Sequence, residues 1–204
     1  MTIDADRLSK LNDFAALLLR WNKGMNLISR RDVNRLLPRH LLDSLSVLPY
    51  LHGDRVLDVG TGPGLPGMPL AIVDPERTFT LCDRMAKRIR FLYMATRELQ
   101  TTNVELEERN LAKDPFTEQR FSTILARGVT PGPELWPMVE PYLEQGGRVI
   151  VFESAQADTF LEEEIEKEVV DETELGFKTE KKKCLIPGLE HPHYLCILQR
   201  DVAD

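Results

Sequence analysis

The segment DVGTGPGLPG, residues 58–67, directly follows the apolar pair Val56–Leu57 and holds four glycines and two prolines in ten residues. Gly62, Gly64 and Gly67 satisfy the G-x-G-x-x-G spacing that is typical of dinucleotide-binding loops between a strand and a helix. A phosphate-binding P-loop is not indicated, because its last glycine precedes a lysine and the last glycine here precedes a methionine. The residues around the loop therefore have to decide which ligand it holds.

Around this loop the sequence alternates short apolar runs of strand length with longer runs of helical periodicity. The predicted strands are 55–59, 78–82, 103–108, 121–126, 148–153, a segment near 175–183, and 194–199, and the predicted helices are 65–73, 84–99, 133–145 and the acidic run 161–174. This alternation predicts an α/β fold, a mostly parallel seven-stranded sheet with helices on both faces. The last two strands follow one another closely, so they predict an antiparallel edge.

The first 52 residues carry a purely helical pattern. Apolar residues at helical spacing predict an amphipathic helix over 5–21. Asp32 can cap a short helix that Pro38 interrupts, and a second helix is expected after the proline. We therefore expect one domain, with a helical N-terminal extension at 1–52 and the cofactor-binding sheet and helices at 53–204.

The composition excludes several classes of protein. A chain of 204 residues with 42% hydrophobic side chains suits a folded domain of ordinary size. Its longest stretch almost free of charge, 56–73, contains an aspartate and is rich in glycine and proline, so no membrane helix is predicted. The N-terminus has acidic residues and lacks the apolar core of a signal peptide. Cys82, Cys184 and Cys196 are odd in number and widely spaced, which favours reduced thiols in a cytoplasmic protein.

The net charge of −7 hides an uneven distribution of charge along the chain. Residues 1–100 hold 15 Lys and Arg against 11 Asp and Glu, whereas the rest of the chain holds 11 against 22. Much of the acid lies in the run 161–174, a pattern typical of a solvated helix face. A polyanionic partner would therefore meet the first half of the chain and avoid the second.

Two features of the loop favour S-adenosylmethionine over a dinucleotide. Pro63 and Pro66 have no N–H, which removes two donors from the place where a pyrophosphate would need them. Asp58 adds negative charge where phosphates would lie but suits an ammonium or a sulfonium. Asp83 ends the second predicted strand, 23 residues beyond Gly60, where a carboxylate can bind both ribose hydroxyls. A dinucleotide, or glycines that merely shape a tight turn, remain the alternatives.

Four segments together resemble a known family. They are LRWNKGMNLISRRD (19–32), RHLLDSL (39–45), DVGTGPGLPG (58–67) and KRIRFL (87–92). In this order and spacing they resemble the small-subunit rRNA methyltransferase G family, also called glucose-inhibited division protein B, over residues 8–127. The resemblance implies a Rossmann-like methyltransferase fold and S-adenosylmethionine as methyl donor. It also implies methylation of N7 of one guanine in bacterial 16S rRNA, either free or in a small ribosomal subunit precursor.

The resemblance also implies where the cofactor is bound. It places Gly60 and Leu65 against the cofactor, with Asp83 after the second strand and Arg127 after the fourth. The family's carboxylate after the third strand is missing here, so backbone groups of Leu111 and Ala112 are expected to serve the adenine. The complete set of expected cofactor-binding residues is Asp58, Gly60, Gly62, Gly64, Leu65, Asp83, Leu111, Ala112 and Arg127.

No proton has to leave guanine N7 before it is methylated, because the atom already carries a lone pair in the ring plane. We therefore expect neither a triad nor a general base, and catalysis by alignment of the reacting atoms. The histidines show no metal-ligand spacing, and His191 and His193 are expected in a loop. His40 and Asp43, three residues apart, are expected to hold the N-terminal extension over the cofactor loop.

Basic residues in the extension and in the helix after the second strand are the candidates for RNA contact, since phosphates require only positive charge. They are Arg30, Arg31, Arg35, Arg39, Lys87 and Arg88. After the fifth strand, where the family tends to carry Lys-Gly, this chain has Glu153. Two other functions therefore stay open: methylation of a small molecule or protein, and a binding module that keeps the cofactor without catalysis.

Overall fold

The computed structural model describes residues 3–153 and 176–200. The acidic run 161–174, predicted to be a helix, lies outside these residues. Within the described ranges, none of the helices combines the length and the apolar character needed to cross a membrane.

One seven-stranded mixed sheet forms the centre of the molecule, which confirms the predicted fold class. Its strands are β1 (Arg55–Val59), β2 (Thr78–Asp83), β3 (Val104–Glu108), β4 (Phe121–Arg127), β5 (Leu143–Glu153), β6 (Phe177–Cys184) and β7 (His193–Arg200). They lie in the order β3-β2-β1-β4-β5-β7-β6. The first five are parallel, and β7 is antiparallel to both β5 and β6. The sequence predicted this antiparallel edge correctly.

Helices cover the parallel strands as their apolar spacing predicts. All seven residues of α3 (Gly67–Val73) are buried, because this short helix packs against β2 and is covered by helices of the N-terminal extension. In α4 (Ala86–Leu99) the buried side chains Phe91, Leu92, Ala95 and Leu99 form one face. Among the described residues, α5 (Gly132–Val139) is the third of these sheet helices.

The predicted first helix is α1 (Ala5–Met25), which packs on α4 and α3. The Asp4 side chain caps it by accepting a hydrogen bond from the Arg7 N–H at 2.9 Å. Its buried face meets α4 through aromatic contacts, with the rings of Phe14 and Trp21 at 6.5 and 6.1 Å from Phe91. The helical N-terminal extension is thus fixed to the helices that flank the cofactor loop.

The prediction that Pro38 interrupts a helix is wrong. Residues Val33–Arg35 form a 3₁₀ turn, and Pro38 lies in the first turn of a π-helical segment, Leu37–Leu42, that continues into α2 (Asp43–Leu45). A proline is tolerated there because the first N–H groups of a helix have no intrahelical acceptor. Nor does Asp32 cap a helix; its carboxylate accepts a hydrogen bond from Ser29 Oγ at 2.7 Å.

The predicted helix 133–145 is too long at its C-terminal end. Helix α5 ends at Val139, a 3₁₀ turn follows, and β5 begins at Leu143. Leu143 is buried and pairs with Phe121 of β4. Tertiary pairing with β4 therefore overrides the helical spacing of these residues, and a register shift between β4 and β5 accommodates the added strand residues.

Candidate functional site

A cleft in two parts lies where the parallel strands end. The larger part is a cavity of about 490 Å³ at the ends of β1, β2, β3 and β4, and the smaller part measures about 270 Å³. Gly60, Arg88 and Gly128 line both parts, so the two cavities adjoin. Such a position, outside the carboxyl ends of parallel strands, is where sheets of this kind bind ligands.

The loop 58–67 has a backbone that only glycine adopts without strain. Gly60, Gly62 and Gly64 have φ values of 65°, 58° and 88°. A Cβ on Gly60 would also lie 2.8 Å from Val129 Cγ2, across the cleft. Gly60 and Gly62 line the cleft and form a backbone cradle there, whereas a Cβ on Gly64 would meet Leu92 and Met68 in the core.

Asp58 lies beneath the loop and does not line the cleft. It is completely buried, and its Oδ2 accepts hydrogen bonds from Thr61 Oγ1 at 2.6 Å and from the Gly67 N–H at 2.8 Å. Sequence reasoning expected this carboxylate beside a sulfonium or ammonium. In the structure it joins both ends of the glycine loop and so helps to hold the shape of the loop.

Burial raises the pKa of Asp58 from 3.8 to about 7, and hydrogen bonds from Thr61 and Gly67 oppose this shift. Between about pH 4 and pH 7, the Asp58 carboxyl is therefore protonated in the folded protein and ionised in the unfolded chain. The stability that comes from this proton is complete below about pH 4 and is lost as the pH rises to about 7.

We expect Asp58→Asn to remove this pH dependence, because asparagine keeps the shape of the side chain and does not titrate. Between about pH 4 and pH 7, the unfolding free energy of the variant should rise by a few kcal/mol relative to that of the wild type. Urea denaturation across this range measures the difference. Asp54→Asn, at an exposed position, is the control, and parallel curves for Asp58→Asn and the wild type would contradict the prediction.

Asp83 lies at the cleft and already has protein partners. Its Oδ1 accepts from the Met85 N–H at 2.9 Å, and its Oδ2 accepts from the Gly62 N–H at 2.9 Å and from Arg88 Nη1 at 3.0 Å. A carboxylate accepts about four hydrogen bonds, so one site remains for a ribose hydroxyl. Binding both hydroxyls, as expected from the sequence, would require Arg88 to release Oδ2.

The end of β3 supplies the expected backbone positions. Leu111 and Ala112 line the larger cavity together with Asn110. The Ala112 N–H already donates to Asn110 Oδ1 at 3.2 Å, so the side chain of Asn110 holds this turn. This bond occupies the Ala112 N–H, one of the backbone groups expected to serve the adenine.

Arg127 lines the smaller cavity and is held by the N-terminal extension. Its Nη1 donates to Asp43 Oδ2 at 3.1 Å, and its Nη2 contacts His40 Nδ1 at 2.5 Å. His40 and Asp43 therefore hold the extension at the cleft, as expected, but they do so through Arg127. Burial, followed by the charge of Arg127, lowers the pKa of His40 to about 4, so this imidazole stays neutral.

The sequence missed one member of this cluster. His193, expected in a loop, is the first residue of β7, and its Nδ1 lies 2.7 Å from Asp43 Oδ1. The two residues are 150 positions apart, and no local pattern signals a contact over such a distance. Only the arrangement of the sheet brings β7 to the extension.

The basic residues expected to bind RNA fall into two groups. Arg30, Arg31, Arg35 and Lys87 are exposed. Arg39 is paired with Asp32 at 3.2 Å, and Arg88 is paired with Asp83. The structure thus gives Arg88 a place in the cleft beside the expected cofactor.

Glu153, where the family carries lysine, lies 3.7 Å from Lys181 Nζ, so its negative charge is partly offset.

Known sequences that are similar to this chain share one description. A family model described as rRNA small subunit methyltransferase G matches residues 7–186. The ribosomal RNA small subunit methyltransferase G of Methylococcus capsulatus is 37% identical over 95% of this chain and 90% of its own length. Its counterpart from Shewanella sp. strain ANA-3 is 48% identical over 60% of this chain and 59% of its own. This chain thus covers less than two thirds of the Shewanella relative's length.

Comparison with solved structures agrees on the fold. The glycopeptide N-methyltransferase MtfA, solved in complex with S-adenosylmethionine, superposes with a TM-score of 0.61 over 80% of this chain and 88% of its own. At 12% identity this likeness shows the fold alone. The family match confirms the resemblance carried by the four sequence segments and, with it, S-adenosylmethionine as the cofactor. The glycine cradle, the carboxylate of Asp83 and the size of the cavity fit that molecule.

Proposed function

Because this chain belongs to the rRNA small subunit methyltransferase G family, we propose that it transfers a methyl group from S-adenosylmethionine to N7 of a guanine in bacterial 16S rRNA. The RNA is presented either free or within a small ribosomal subunit precursor. Such a substrate places the reaction in the bacterial cytoplasm.

The position of residues 27–29 is the observation that carries this proposal. Leu27, Ile28 and Ser29 line the smaller cavity together with the glycine loop, and the next two residues, Arg30 and Arg31, are exposed. Two exposed positive charges therefore stand within two residues of the cavity lining, where they can draw a phosphate backbone to its entrance. A phosphate backbone bound there would bring one of its bases to the mouth of the smaller cavity, beside the bound cofactor.

The chain contributes orientation and a suitable electrostatic environment. When bound, S-adenosylmethionine supplies an electrophilic methyl group. Guanine N7 attacks with its own lone pair, so the S–CH₃ bond breaks as the N7–CH₃ bond forms and no residue has to accept a proton. Positive charge appears on the base in this step. The neutral His40 in the smaller cavity adds no charge that would oppose it, and the charges of Arg88 and Arg127, which line the same cavity, are paired with Asp83 and Asp43.

The test is methylation of 16S rRNA, and of small subunits, prepared from a bacterium that lacks the modification. With labelled S-adenosylmethionine, we expect label in the RNA and 7-methylguanosine as the product nucleoside. Label in another nucleoside would refute the assignment to N7. Transfer to small molecules or proteins without transfer to RNA would favour another methyltransferase, and cofactor binding without any transfer would favour a binding module.

Charge reversal at exposed arginines should weaken RNA binding selectively. The double variant Arg31→Glu/Arg35→Glu changes two exposed residues, so it should keep the fold and the cleft of the wild type. For every phosphate that the variant no longer binds, the slope of log Kd against log salt should flatten by about one unit. Filter binding or fluorescence anisotropy with a 16S rRNA fragment at several salt concentrations measures this slope.

The matched control is Arg120→Glu, at an exposed arginine that precedes β4 and therefore lies at the opposite edge of the sheet from the cleft. It should leave RNA binding nearly unchanged. Affinity for S-adenosylhomocysteine should be the same in all variants, because loop 58–67 is untouched. Equal RNA affinity and salt dependence for wild type and the double variant would contradict the proposed RNA surface.

A further inference from the structure

Arg127 is fixed on one side and open on the other. Its Nη1 donates to Asp43 Oδ2 at 3.1 Å and lies 3.4 Å from Ser44 Oγ, while Nη2 contacts His40. Within the described residues, the Nε–H of Arg127 donates no hydrogen bond, and the side chain is 19% exposed. Arg127 lines the smaller cavity, so its Nε–H and the second Nη2 hydrogen are the two donors that it has left for a ligand there.

An arginine edge of this kind matches a carboxylate, since two parallel N–H groups can donate to its two oxygens. S-adenosylmethionine has one carboxylate, at its amino-acid end. The glycine loop lies between the two cavities, so a cofactor whose ribose is near Asp83 can extend its amino-acid end past Gly60 and Gly62 toward Arg127. The direction of the guanidinium therefore decides whether this contact forms.

Asp43 and His193 control that direction. Asp43 is 3% exposed, and its two oxygens are divided between Arg127 and His193. A carboxylate only accepts, so His193 Nδ1 carries the hydrogen and donates to Oδ1. This bond prevents the Asp43 carboxylate from rotating, and Asp43 in turn orients Arg127. His193 belongs to β7, so a strand from the antiparallel part of the sheet anchors a group in the cleft.

We propose that His193, acting through Asp43, is a positioning residue that sets the guanidinium of Arg127 to bind the carboxylate of the cofactor. This inference rests on the assignment of the cleft to S-adenosylmethionine and is independent of the RNA substrate. It predicts that loss of the hydrogen bond between His193 and Asp43 weakens the binding of ligands that carry the carboxylate. The binding of ligands that lack the carboxylate should be unchanged.

The experiment compares two ligands by isothermal titration calorimetry. S-adenosylhomocysteine carries the amino-acid end, and 5′-methylthioadenosine has the same adenosine and sulfur without it. His193→Leu should weaken binding of S-adenosylhomocysteine by about 10-fold, the effect of one hydrogen bond to a charged group, and change binding of 5′-methylthioadenosine by less than about twofold. His193→Asn should restore most of the affinity, because the asparagine amide can donate from about the position of Nδ1.

His191→Leu is the matched control, since His191 is exposed two residues away. If His193→Leu does not fold, Asp43→Asn, with the same shape and without the charge, is measured with the same two ligands and should show the same selectivity. Equal losses for both ligands would mean that His193 is merely structural and would overturn the proposal, as would unchanged affinity for both. RNA that stays unmethylated while this selectivity is observed would refute the proposed function and leave the inference standing.

Discussion

Replacing Asp83 with alanine is expected to weaken binding of S-adenosylhomocysteine by about 100-fold or more. One charge-assisted hydrogen bond to a ribose hydroxyl contributes about 1.5–3 kcal/mol, which is roughly 10- to 150-fold in affinity. The same carboxylate also accepts from the Gly62 N–H at 2.9 Å and pairs with Arg88 at 3.0 Å. Its removal therefore loosens the glycine loop and frees a cation in the cleft, and both changes add to the loss.

Two further variants separate these contributions. Asp83→Asn keeps an acceptor for Gly62 but loses the charge, so its affinity should lie between those of wild type and Asp83→Ala. Asp54→Ala, which removes an exposed aspartate before β1, controls for the general effect of losing a negative charge. Calorimetry gives the affinities, and circular dichroism checks the fold. A folded Asp83→Ala variant with wild-type affinity would show that the ribose is held by other residues.

Replacing Gly67 with alanine is expected to destabilise the protein by about 3 kcal/mol, at the upper end of the usual effect of overpacking a core. Gly67 begins α3, and its φ is not in the left-handed region, so the reason is space alone. An added Cβ would lie 2.1 Å from Leu81 Cδ2 and 2.8 Å from Asp58 Oδ2. Leu81 is completely buried in β2, so neither neighbour can move away freely. The hydrogen bond from Gly67 to Asp58 would be strained at the same time.

Gly24→Ala provides a control of opposite sign. Gly24 lies in α1, and a Cβ added there meets no atom within 4 Å. Alanine at a helical position is favoured over glycine by up to about 1 kcal/mol. Chemical denaturation should therefore show a loss of stability for Gly67→Ala and none for Gly24→Ala. Similar stability of Gly67→Ala and wild type would mean that α3 can shift away from β2.

Much of the fold could be predicted because its signals are local. Strand β1 and the loop after it are contiguous, and the two hydrogen bonds of Asp58 span only three and nine residues. The predictions failed where distant partners decide the structure. Leu143 has helical spacing with its neighbours, yet its pairing with Phe121 makes it a strand residue. Pro38 does not interrupt a helix because its helical segment begins at Leu37, and the sequence does not reveal this starting point.

By itself, the sequence determined the α/β alternation and the glycine loop, because both follow from neighbouring residues. It also favoured S-adenosylmethionine over a dinucleotide through the missing N–H groups of two prolines and the position of Asp83 after a strand. The tertiary structure decided which charged side chains are paired with other side chains. Arg88 turns inward to Asp83, and Asp43 joins Arg127 and His193, which are 84 and 150 residues away along the chain. The physical reason is that burial makes an unpaired charge costly, so partners are chosen by proximity in the folded protein.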